Sequence, residues 1–152
     1  MMKILMSLVL VILSISNSFG CDCIMTSLEN HLEDVNIILR VKVIQILDTE
    51  EERANYLDLY RNDYNVGHLA KLEVIDNLKG EYKSGDLIHL NSTFTNCEFK
   101  YRKGEEYVLF LRQDIKQLFL QTCSYSAQIT DKRRSKRFYR KIQKKFKSRK
   151  RN

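Results

Sequence analysis

The chain has 152 residues, with 26 Lys and Arg against 19 Asp and Glu, three His, four Cys, no Pro and no Trp. That length suits one domain with a core of its own rather than several. The net charge of +7 describes only part of the chain: residues 132–151 hold 13 of the 26 basic residues, whereas 21–130 carry 12 Lys and Arg against 18 Asp and Glu. A mildly acidic body therefore carries a strongly basic tail.

In chain order, residues 1–20 read as a targeting segment. Lys3 gives a positive start, Ile4 to Ile15 is apolar apart from Ser7 and Ser14, and Ser18 and Gly20 are small residues before a cut. This is the pattern of a secretory signal peptide, too short and wrongly flanked for a membrane span. Cleavage after Gly20 leaves Cys21 first. A lipoprotein cut at Cys21 is the alternative, although Ser18 stands where such signals favour Leu. Secretion is the expected localisation.

All four cysteines, Cys21, Cys23, Cys97 and Cys123, lie after the cut. An even number in an exported chain predicts two disulfides. A bridge between Cys21 and Cys23 would be strained. Two patterns remain, each joining the N-terminal pair to Cys97 and Cys123 through long loops that contribute roughly 3–5 kcal/mol apiece.

Ile24–Leu32 is short and amphipathic and predicts a helix with Glu29, His31 and Glu33 toward water. Val35–Leu47 predicts a long strand, because Leu39, Val41 and Val43 alternate with Arg40 and Lys42. The phase then slips at Ile44 and Ile46, which predicts a bulge near Val43–Ile44 or burial of both faces. Residues 48–65 are acidic and rich in tyrosine (Tyr56, Tyr60, Tyr64) and read as a solvated loop or hairpin tip, though loops of this length are often functional. Further strands are predicted at His68–Ile75, Asp86–Phe94, Glu105–Arg112 and Gln117–Tyr125, with turns at Lys79-Gly80, Gly85 and Gly104. Five strands with turn signals and no alternating helices predict a mainly β domain over 21–130. The natural architecture is a five-stranded Greek-key barrel of OB type, with a short N-terminal helix.

Residues 131–152 form a basic segment. Phe138, Ile142 and Phe146 recur every four residues, flanked by Tyr139, giving a narrow apolar stripe on an otherwise cationic helix. The stripe is expected to pack on the barrel. The charge exceeds what solubility needs, so Lys132, Arg133, Arg134, Lys136, Arg137, Arg140, Lys141, Lys144, Lys145 and Lys147 are the candidate polyanion-binding residues. Acidic, heparin-like glycans or anionic membrane surfaces are the expected partners. Export makes nucleic acid the least expected of these, and a monomer is expected.

No HExxH, GxSxG, GxGxxG or P-loop pattern is present, and His31, His68 and His89 are scattered. No enzyme and no cofactor are expected. Cys21 and Cys23 have the wrong spacing for a structural zinc pair. Asn91-Ser92-Thr93 fits the N-glycosylation acceptor pattern.

The ordered set of pieces resembles a known family. Cys21-Asp22-Cys23 directly after the leader, "IILRVKVIQI" (Ile37–Ile46), "TNCEFKYRKGEEYVLFL" (Thr95–Leu111) and "LQTCSYS" with Cys123 are similar to the N-terminal domain of the tissue inhibitors of metalloproteinases, within the netrin-like modules. The resemblance covers roughly Cys21–Tyr125. It implies an OB-type barrel and the disulfides Cys21–Cys97 and Cys23–Cys123. It also implies an extracellular metalloprotease as partner, whose own catalytic zinc would be chelated by the Cys21 α-amine and carbonyl. An α-amine titrates at roughly 7.7–8.0, so zinc can displace its proton at neutral pH. A bridge from Cys21 would hold that amine rigid and limit the entropy lost on binding. Asp22, Cys23, Ile24, Met25, Thr95 and Asn96 would complete the contact ridge. Asp22 departs from the family, which places a small or hydroxyl side chain there to enter an apolar pocket. A buried unpaired carboxylate is costly, so Asp22 would suit a basic pocket instead. Glu98 also departs, standing where the family often has Gly, and the four cysteines leave none for the family's third N-domain disulfide.

Overall fold

The run at 35–47 forms the central strand of the molecule. The structure, a computed structural model, describes residues 27–54, 56, 60, 62–90, 99–114, 117–120, 124–130 and 133–149. Strand β1, Ile37–Ile46, pairs antiparallel with β3 (Ala70–Lys79) on one side and with β6 (Glu106–Asp114) on the other. β3 carries β4 (Leu87–His89) on its outer edge. The free edge of β6 is shared by β7 (Gln117–Leu120) near its end and β8 (Ala127–Ile129) near its start. The path β4-β3-β1-β6-β7 is therefore a five-stranded antiparallel sheet, with β8 beside β7's place on β6. A separate two-stranded ribbon pairs β2 (Val66–Gly67) with β5 (Tyr101–Arg102). Among the described residues no ladder joins β4 to β7, so the sheet is not closed into a barrel there.

Alternation along the strands builds two cores, one on each face. Ile37, Leu39, Val41 and Val43 of β1 meet Leu72 and Val74 of β3 and Leu109 and Leu111 of β6 in the first, capped by Tyr101 and Tyr107. Ile38, Val108 and Phe110 face the other way, into a second core beneath two helices. Both faces of β1 are buried at its start, and the expected phase slip is present as a bulge. The register with β3 shifts between Val43 and Gln45, and Ile44 is left 37% exposed.

Helix α1 is Leu28–Asp34, capped by Ser27, whose Oγ accepts the Asn30 N–H at 3.2 Å. Lys79 Nζ donates to the carbonyls of Leu32 (2.9 Å) and Val35 (2.5 Å) where the helix runs out. The expectation that His31 faces water is corrected: the residue is 6% exposed, between the rings of Phe110 (5.5 Å) and Tyr125 (5.4 Å). Leu28, His31, Leu32 and Val35 are spaced i, i+3, i+4 and i+7, so the helical period places the imidazole on the apolar side. Glu29 and Glu33 are exposed as expected.

The described part of the acidic stretch after β1 holds a short helix and specific hydrogen bonds. Thr49-Glu50-Glu51-Glu52 is a capping box: the Thr49 N–H donates to Glu52 Oε2 at 2.7 Å, and the Glu52 N–H to Thr49 Oγ1 at 3.2 Å. It starts helix α2, Glu50–Ala54, whose first turn is acidic, as the helix dipole favours. The Asp48 carboxylate accepts the Tyr56 hydroxyl and the N–H groups of His68 (2.8 Å) and Leu69 (3.0 Å), tying the stretch to the approach to β3. Gly67 has to be glycine here, since a Cβ would collide with the Asp48 carboxylate and Ile46. Arg53 is buried, donating to the Asp63 carbonyl at 3.1 Å under the Tyr64 ring.

The second strand is longer than expected, reaching Lys79, and the fourth matches within two residues. The third is seen only at Leu87–His89, and its expected continuation to Phe94 lies outside the described residues from 91 onward. The expected fifth strand is described over Gln117–Leu120, while β8 was not expected at all.

A cationic helix seated on the sheet

Helix α3, Arg133–Arg149, lies on the second core against β8 and β3. It contains no acidic residue. Its start is fixed by Ser135, whose Oγ accepts the Thr130 N–H (3.0 Å) and donates to the Gln128 carbonyl (3.1 Å). The buried stripe is Tyr139, Ile142 and Phe146, spaced i, i+3 and i+7, with Phe138 half-buried beside it. Phe138 and Tyr139 thus exchange the places expected of them.

A polar contact decides that exchange. Tyr139 Oη donates to Asp76 Oδ2 at 2.9 Å, and Gln143 Nε2 reaches both Asp76 Oδ2 (3.2 Å) and Tyr139 Oη (3.0 Å). The phenol is pushed up to about 12, first by burial and then by the hydrogen bond to Asp76 and its charge. Arg40 lies over the Tyr139 ring at 5.3 Å and is held by Glu106 through Nε (2.8 Å) and Nη2 (2.5 Å). Asp76 on β3, Arg40 on β1 and Glu106 on β6 therefore fix the rotation of α3 about its axis. No sequence motif marks these residues. The one visible signal is a charged residue interrupting apolar strand alternation.

With that rotation fixed, Arg133, Arg134, Lys136, Arg137, Arg140, Lys141 and Lys144 are all exposed. Lys145 is partly buried and lies 3.6 Å from Glu29 of α1. The Glu29 carboxyl is held below the usual range by a hydrogen bond at its own backbone and then by Lys145. Of the remaining expected cations, Lys132 lies outside the described residues and only the backbone of Lys147 is described.

This arrangement works against the helix's own stability. Like charges four apart (Arg133–Arg137, Lys136–Arg140, Arg137–Lys141, Arg140–Lys144) each cost about 0.2–0.5 kcal/mol. The first turn is cationic where the helix dipole favours acids. Burial of Tyr139, Ile142 and Phe146 offsets this, at roughly 1.5–3 kcal/mol for each large apolar side chain. The result is a concentrated positive field on the solvent side of the helix, held in place by its apolar back.

The expected protease-binding ridge (Cys21, Asp22, Cys23, Ile24, Met25, Thr95 and Asn96) lies outside the described residues. So do Cys97, Cys123, both expected disulfides and Asn91. Of the histidines, His68 meets Tyr56 edge-on at 4.9 Å and His89 is exposed on β4. An open groove of about 530 Å³ is lined by Asn36, Ile37, Gly80, Glu81, Tyr82, Asp86 and Gln113, which present no nucleophile paired with a base. Among the described residues no three His, Cys, Asp or Glu side chains gather as metal ligands.

No family model and no curated protein matches the chain.

Proposed function

We propose that the protein is an exported, non-catalytic binding module that docks polyanions through α3. The observation that carries this reading is the exposed set Arg133–Lys144, turned outward by burial of Tyr139, Ile142 and Phe146. Polyanion contacts would also relieve the like-charge repulsion within the helix. The test is retention on a heparin column. A variant carrying Arg133→Gln, Arg137→Gln, Arg140→Gln and Lys144→Gln should elute at much lower salt than the wild type, with a melting temperature no lower than the wild type's, since the like-charge pairs go with the charges. Equal elution would refute the role of the helix. Deleting α3 is a poor substitute, because Leu32, Ile38, Val108 and Phe110 lose their cover with it.

A second reading, compatible with the first, is a metalloprotease inhibitor of netrin-like type. Its support is Cys21-Asp22-Cys23 directly after the apolar leader, together with the strand order. Counted along the five-strand path, the fourth strand returns to lie beside the first in the order 4-1-2-3, the signature of a Greek key. That order is what an OB-type barrel requires before it closes. In this reading the Cys21 amine and carbonyl would bind the protease's zinc. A protease panel with protein starting at an authentic Cys21 tests it, since one alanine added before Cys21 should abolish inhibition. Undiminished inhibition by the extended protein would exclude the chelation.

A further inference from the structure

Resting on the polyanion reading, we infer that the ligand of α3 is a linear sulfated glycan lying along the helix axis, and not a lipid bilayer. An amphipathic helix binds a bilayer by sinking its apolar face between headgroups. Here that face is already occupied. Ile142 is 0% exposed, and the Tyr139–Asp76–Gln143 contacts hold the helix down. The exposed large apolar side chains of the described residues are Ile44, Tyr60, Tyr64 and Leu87, none of them on α3. The outward face thus offers cations and no anchor that could enter a membrane.

The pattern of the cations selects a chain. Arg133, Arg137, Arg140 and Lys144 follow steps of four, three and four, so they stand in one outermost row. At about 1.5 Å per residue the row is about 16 Å long, with a charge every 4.5–6 Å or so. Arg134 and Lys141 flank it on one side and Lys136 on the other. A plane touches a convex half-cylinder along the row alone and leaves the flanks turned aside. A flexible chain can follow the row and curl onto both flanks. Three of the four row residues are arginines, whose planar fork grips paired oxygens of a tetrahedral oxyanion, a sulfate ester as well as a phosphate, in a way that a lysine does not. In the exported reading of the chain, glycans bearing sulfate esters are linear polyanions that the row would meet.

The full-length protein should be titrated with a heparin-derived oligosaccharide, the same oligosaccharide desulfated, polyphosphate of similar length, and vesicles of phosphatidylcholine and phosphatidylserine in equal amounts. The sulfated oligosaccharide should bind most tightly and lose affinity as salt rises. Desulfation should remove most of the binding. Arg137→Gln with Arg140→Gln should weaken it about tenfold or more, about 1.4 kcal/mol per decade, with the melting temperature not lowered. Vesicle binding at salt that releases the sulfated chain would overturn the inference and leave the polyanion reading standing. Polyphosphate binding as well as the sulfated chain would overturn the sulfate assignment. Binding to none of the four would bring down the polyanion reading itself.

Discussion

The two faces of the sheet are built by different rules. The inner face is apolar contact throughout: Leu39, Val41, Leu72, Val74, Leu109 and Leu111 are fully buried, with the tyrosines at its rim. The outer face is assembled from separate parts, α1, α3 and the backs of β1, β3 and β6, and it encloses polar groups among the apolar ones. His31, the Arg40–Glu106 pair and the Asp76–Tyr139 bond all lie there. A face of pure contact sets stability and little else. A face that uses part-buried hydrogen bonds to set the rotation of one helix controls what that helix shows to solvent.

The comparison can be broken most forcefully in the cores. Leu109→Ala on the inner face and Ile142→Ala on the outer should each cost about 2–5 kcal/mol in urea unfolding. Only the second should also weaken heparin binding by the folded protein, because only it loosens α3. A loss of binding in Leu109→Ala would erase the division of labour.

Asp76→Ala comes next. It removes the acceptor of the Tyr139 hydroxyl proton and one of the two partners of the Gln143 amide, and should cost about 1–3 kcal/mol. It should also bring the phenol titration of Tyr139 down from about 12, measurable by ultraviolet difference spectroscopy. An unchanged titration would mean that Asp76 does not hold the ring.

Thr49→Ala should cost about 1 kcal/mol by removing one half of the capping box, and should leave heparin retention as it was. A change in retention would tie the acidic stretch to α3.

The smallest effect is one of pH. Burial holds the His31 imidazole below its ordinary value, with the Asp34 carboxylate opposing and the Arg112 guanidinium adding to the shift. Its folded pKa lies below the unfolded one, so the unfolded chain binds the extra proton. Stability from this group is complete above about pH 6.5 and is lost as pH falls through and below that value. Urea midpoints measured between pH 8 and pH 5 should fall for the wild type and flatten for His31→Leu. A parallel fall in the variant would assign the dependence to other groups. Glu29 also loses its contribution in acid, but only in the lower, carboxylate range.

What could be read in the sequence follows the same division. Alternation in Leu39–Val43 marks β1, its phase slip allows a bulge near Val43–Ile44 or burial of both faces, and the unbroken apolar run Tyr107–Leu111 marks β6, whose two faces enter the two cores. The short pieces, β2, β5, β8 and α2, were missed because two to five residues do not complete a period. The capping box at Thr49–Glu52 is a readable signal for α2. The cationic arc of α3 was legible as charge, whereas its exact rotation was not. Phe138 and Tyr139 are neighbours of similar size, and the choice between them rests on Asp76, 63 residues away in the chain. His31 shows a related conflict: its polar type argues for the surface, whereas the helical period puts it inside, and the period wins.

The most direct measurement of the central claim is amide-resonance mapping of the full-length protein with a saturating heparin-derived oligosaccharide. The account predicts the largest shifts along Arg133–Lys144, smaller ones at Glu29 as Lys145 responds, and none at Leu39, Val41 or Leu109. Shifts centred on the aromatic and cationic patch of Tyr60, Tyr64, Lys100 and Arg102, with α3 silent, would contradict it.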